Sequence, residues 1–150
     1  MRDFEIEMFA KALKYAQDEF YLDAINELKA LVENYPNSEV VDDALFNVGL
    51  CYFNLGHYEK AIQEFENLIT NFPDATISVL EGGDEYGRTA AKAIYAIINC
   101  YLATGNIEKA LQKLEELKSD SNSYLIINNQ KTTFFNLADN LIQTITKQNL

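Results

Sequence analysis

Between residues 42 and 75 the apolar positions fall on two stripes separated by a short break. Leu45, Val48, Gly49 and Tyr52 recur at three- and four-residue steps, and Tyr58, Ala61, Ile62, Phe65, Leu68 and Ile69 resume that spacing after His57. Such steps place side chains on one face of a helix. Asp42 and Asp43 suit the positive end of the first helix, Gly56 suits its C-terminal cap because glycine tolerates positive φ, and Pro73 stops the second. Gly49 and Ala61 are small where two helices must approach closely, with Tyr52, Tyr58 and Phe65 filling the space beside them. The segment predicts a helical hairpin.

The pattern recurs along the chain. A shift of 37 residues lays Tyr15 on Tyr52, Tyr21 on Tyr58, Ala24 on Ala61, Leu28 on Phe65, Leu31 on Leu68, and Tyr35-Pro36 on Phe72-Pro73. A shift of 49 lays Tyr52 on Tyr101, Gly56 on Gly105, Lys60-Ala61 on Lys109-Ala110 and Phe65 on Leu114. A period in this range is the mark of a solenoid built from one supersecondary unit.

Val48-Gly49, Tyr52, Gly56, Tyr58, Ala61, Phe65 and Pro73 together resemble the tetratricopeptide repeat, in the slightly long-spaced variant common in bacterial proteins. The copy at residues 42–75 fits best. The copy at 5–38 keeps Ala12, Tyr15, Tyr21, Ala24 and Pro36 but has Lys11 at an apolar position and Glu19 in place of the turn glycine. The copy at about 91–122 keeps Tyr101, Gly105 and Ala110 but has Ile98 at the small site, Ile107 for the aromatic, and no closing proline. The resemblance implies an all-α, right-handed α-solenoid of about three hairpins forming one domain over residues 1–150. A loop is inserted at 76–89, and a C-terminal helix over about 124–147 is expected to cap the array through Phe134, Leu137, Ala138, Leu141, Ile142 and Ile145.

Composition narrows the function. With 48% apolar residues, two prolines and six glycines, a disordered or fibrous chain is excluded. The net charge of −11 is uneven: residues 1–85 carry eighteen acidic against five basic side chains, residues 86–150 five against seven. An acidic front half disfavours nucleic acid, which needs Lys and Arg, and favours a basic protein partner. The amino terminus, Met1-Arg2-Asp3-Phe4-Glu5, has no apolar run, and no stretch has the length of a membrane span, so the expectation is a soluble, cytoplasmic chain without membrane contact.

Candidate chemistry is sparse. Gly82-Gly83-Asp84-Glu85-Tyr86 is one letter from the signature loop of nucleotide cyclases that make cyclic dinucleotides, but that loop needs an α/β domain longer than this chain. An acidic loop that meets a partner, or a plain connector, fits better. Cys51 and Cys100 stand at equivalent places and read as small core fillers. His57, the sole histidine, is placed in an inter-helix turn with no serine or cysteine arranged beside it, so no hydrolytic triad is expected. No catalytic residue, metal site or cofactor is expected.

In the resembled family the inner face of the first helices binds extended or helical protein segments. Here the resemblance places on that face Phe9, Leu13 and Gln17 from the first copy. The second copy gives Asp43, Phe46, Leu50, Phe53 and Asn54, and the third gives Lys92, Tyr95, Asn99 and Leu102. The carboxylate clamp for chaperone tails is missing, since only Lys92 and Asn99 match it. The reading is an adaptor or scaffold that takes a basic or apolar partner segment in an acidic-rimmed groove, with Asp42, Asp43 and Glu39 supplying charge. The alternatives are an acidic immunity or inhibitor protein for a basic toxin or enzyme, self-assembly through the C-terminal helix, or that helix lying in the groove itself.

Overall fold

The computed structural model describes residues 3–77 and 83–148. Its helices are α1 (Phe4–Gln17), α2 (Tyr21–Asn34), α3 (Val41–Asn54), α4 (Tyr58–Asn71), α5 (Thr89–Ala103), α6 (Ile107–Glu115) and α7 (Phe134–Gln148), with short strands β1 (Glu85–Tyr86), β2 (Tyr124–Ile127) and β3 (Gln130–Thr133). Helices α1–α2, α3–α4 and α5–α6 pack as hairpins, and α2 against α3 and α4 against α5 stack one hairpin on the next. Alanine makes this close packing feasible: Ala24, Ala61 and Ala110, at matching places, are all fully buried. The same turn closes each hairpin, with Phe20, His57 and Asn106 donating their N–H to the carbonyls of Tyr15, Tyr52 and Tyr101 at 2.8–2.9 Å.

The helix expected over residues 124–147 begins only at Phe134. Residues 124–133 form a β-hairpin instead, with β2 and β3 antiparallel from Tyr124↔Thr133 to Ile127↔Gln130. Tyr124-Leu125-Ile126-Ile127 favours a pleated surface. Asn128 and Asn129 sit at φ 52° and 64°, as a two-residue type I′ turn requires. The helical stripe starts at Phe134, so its spacing carried no information about the residues before it.

The described ends of the inserted segment are paired with the rest of the chain. Ile77 donates to the Gly87 carbonyl and Thr89 to that of Ala75, both at 2.9 Å. Strand β1 then pairs with β2 through Glu85↔Leu125 and Tyr86↔Tyr124, giving a three-stranded sheet. Leu80, Glu81 and Gly82 of the expected acidic loop lie outside the described residues.

Arg88 ties this sheet to the solenoid. Its guanidinium donates to Asp120 Oδ2 from Nη2 at 2.7 Å and from Nε at 3.1 Å, and to the Pro73 carbonyl at 3.2 Å. Ser123 Oγ accepts from the Arg88 amide at 3.0 Å and donates to Asp120 Oδ2 at 3.0 Å. Gly87 is obligatory beside them: at φ 108° a Cβ would lie 2.4 Å from Ser123 Cα. Burial alone would raise the Asp120 pKa, but the hydrogen bonds from Arg88 and Ser123 and the guanidinium charge outweigh it and hold the carboxyl below its ordinary range. Helix α7 packs on α5 and α6, burying Phe134, Ala138 and Ile142 against Ile94, Ile98 and Leu114. Half of its expected apolar stripe is thus packed inside the chain.

Candidate functional site

A groove of about 800 Å³ opens along α1, α3 and α5. Leu13, Ala16 and Gln17 line it from α1, and Phe46, Asn47, Leu50, Cys51, Phe53 and Asn54 from α3. Lys92, Tyr95, Ala96 and Asn99 line it from α5, with Tyr21 and Phe65 contributed by α2 and α4. The far end is closed by Glu85, Leu125, Phe134 and Leu137, so α7 and the sheet wall the groove and do not fill it.

Nine of the twelve residues expected on this face line the groove, and Phe9, Asp43 and Leu102 do not. Phe9 packs inside the α1–α2–α3 core, and Leu102 joins the cluster that α5, α6 and α7 form. Asp42 and Asp43 are buried at the start of α3. Asp42 Oδ2 accepts the Thr89 hydroxyl at 2.7 Å, because α3 and α5 begin side by side. Burial raises the Asp42 pKa, and the Thr89 hydrogen bond offsets that only in part. The acidic rim assigned to Asp42 and Asp43 is therefore not a feature of the lining.

The charged residues of the lining are Glu85 and Lys92, and they form an ion pair. Lys92 Nζ also lies 4.4 Å from the Phe46 ring centroid, a cation–π distance. Phe46 and Phe65 are tilted at 5.4 Å, Phe53 and Tyr58 meet edge to face at 5.3 Å, and Tyr95 leans on Phe134 at 5.9 Å. Asn47 and Asn99 donate to the carbonyls of Asp43 and Tyr95, one turn back on their own helices. The surface is thus aromatic and aliphatic, edged by carboxamides and close to neutral. Burial pushes the Cys51 thiol up to about 11 and that of Cys100 up to about 12. Cys51 faces the groove as a neutral thiol, a poor nucleophile.

Of the residues at the far end, Leu125 was not anticipated, while Phe134 and Leu137 were expected on the C-terminal helix and Glu85 in the acidic loop and not among the groove-face residues. The signal for the sheet was present in the β-branched run before Asn128-Asn129. Nothing local showed that it would meet Glu85, forty residues earlier.

Residues 43–75 match the family model described as tetratricopeptide repeat. That segment carries the tetratricopeptide repeat. No curated protein sequence matches the chain. Its fold is similar to that of the Yersinia enterocolitica type III secretion chaperone SycD, solved with a peptide of the translocator YopD: TM-score 0.66, 15% identity, 100% of this chain and 98% of that one. It is also similar to the TPR2AB-domain:pHSP90 complex of yeast Sti1, with TM-score 0.70, 15% identity, and 97% and 49% of the two chains covered. Yeast Tom70 gives TM-score 0.65 at 13% identity over 97% and 24%. At these identities the likeness establishes the fold of a tetratricopeptide-repeat array and nothing finer. No helix among the described residues is long and apolar enough to cross a membrane.

Proposed function

We propose that the chain is a non-catalytic protein-interaction module that takes an apolar segment of a partner protein along α1, α3 and α5. The observation that carries this reading is the open groove itself. It presents Leu50, 37% exposed, among half-buried Leu13, Phe53 and Tyr95, on a face that the chain's own C-terminal helix walls off at one end without occupying. An apolar concavity of this size edged with carboxamides suits a peptide: the aromatics take side chains and the amides meet a backbone. The similar structure of SycD was solved with a peptide of YopD and that of the Sti1 domain as a complex with pHSP90, which supports the reading.

The lining is close to neutral, so the partner's apolar residues do the binding. The acidity of residues 1–85 acts at longer range, speeding the approach of a basic protein without fixing where it lands. The test is affinity purification of the tagged protein from its host, with Leu50→Glu in parallel. A partner held by the natural chain and lost by Leu50→Glu, with the helical spectrum unchanged, is the expected result. A partner held equally by both rejects this groove.

A further inference from the structure

The three hairpins close with the same hydrogen bond, yet the first turn is chemically unlike the others. Gly56 and Gly105 sit at φ 78° and 77°, each followed by a polar residue, His57 and Asn106, and two positions later by Glu59 and Glu108. The first turn places Glu19 in that left-handed conformation, at φ 65°. Phe20 and Leu22 follow where the other turns are polar, 56% and 65% exposed, the highest values among large apolar side chains in the described residues. Neither joins a core cluster. The matching turn backbone means their exposure is not a local distortion. Large apolar groups held in water at a place the fold reserves for polar ones mark an interaction surface.

We infer that the α1–α2 turn is a docking point for a protein segment that carries apolar side chains next to lysine or arginine. The charge around it selects that partner. Asp18, Glu19 and Asp23 are exposed about the apolar pair, and among the described residues only Asp18 of the three has an ion-pair partner, Lys14 at 3.2 Å. A second copy would bring the same acidic turn, on a chain of net charge −11, and is disfavoured. Gln17 and Tyr21 beside the turn line the groove, while Phe20 and Leu22 do not. The docking point therefore stands or falls separately from the groove.

The experiment uses the full chain, labelled with ¹⁵N and titrated with a twelve-residue peptide alternating leucine and lysine, then with its leucine–glutamate twin. Saturable shifts across Asp18–Asp23 are expected with the lysine peptide, weakening as salt is raised. The twin should bind about tenfold more weakly. The Phe20→Asn/Leu22→Glu variant installs residue types that the other two turns use, and should lose the response while its circular dichroism is unchanged. Equal response to both peptides, shifts that bypass this turn, or the same shifts on concentrating the protein alone would each overturn the inference. If the double variant fails to fold, the comparison of the two peptides on the natural chain decides by itself.

Discussion

The ring of Phe65 occupies the space that a side chain at Gly49 would need: a Cβ there would lie 2.5 Å from Phe65 Cε1 and 2.7 Å from Cζ. Phe65 is fully buried, and its ring leans on Phe46 at the groove. The first hairpin solves the same packing problem with Ala12 and Leu28, the third with Ile98 and Leu114. Gly49→Ala gains helix propensity, worth up to about 1 kcal/mol, but overpacks α3 against α4, which costs about 1–3 kcal/mol. A net loss of up to about 2 kcal/mol is expected in urea unfolding. Adding Phe65→Leu, which copies the first hairpin, should recover part of it, so the double variant is more stable than the two single effects predict.

Asp42 and Asp120 should respond to pH with opposite signs. The folded pKa of Asp42 is raised, so the native state holds its proton at a pH where the unfolded chain has lost it, and stability falls as pH rises through that window. Asp42→Asn, which keeps an acceptor for Thr89, is therefore expected to be more stable than the natural chain at neutral pH. That advantage should shrink on acidification. Asp120 has a lowered folded pKa, so its contribution is complete above the ordinary carboxylate range and is lost as pH falls through the folded value. Asp120→Asn should be destabilised by about 1–2 kcal/mol at neutral pH, toward the lower figure because the Arg88 side chain is 40% exposed. The deficit should close in acid. Stability differences measured from pH 7 to pH 3 check both signs.

Phe46 and Leu50 separate fold from binding. Phe46 is 4% exposed beneath Lys92 and against Phe65, so Phe46→Ala should cost about 3–5 kcal/mol. Leu50 is 37% exposed, and Leu50→Ala should stay within about 0.5 kcal/mol. Thermal unfolding of the two variants checks this.

Glu19 holds φ 65° where Gly56 and Gly105 hold the same conformation without a Cβ. Relief of that strain predicts that Glu19→Gly stabilises the chain by about 0.5–1 kcal/mol, while Gly56→Ala destabilises it by about 1 kcal/mol. A rise in urea midpoint for the first and a fall for the second is the expected pair of results.

What the chain announces locally is its helical hairpins. Three- and four-residue spacing, Gly56, Gly105 and Pro73 act within a few residues of themselves, and each shapes the turn or helix it belongs to whatever surrounds it. The groove face was legible through Phe46, Leu50, Phe53 and Tyr95 for the same reason, since positions along one helix share a face. Tertiary structure alone decided the rest. Asp42 turned from rim to core because α5 starts beside it and brings Thr89. Glu85 became part of the groove because β1 found β2, and the sheet in front of α7 is tied to the solenoid by the Arg88–Asp120 pair. Those partners are thirty or more residues apart, and periodicity, which records only which way a side chain points from its own helix, holds no information about what arrives from that distance.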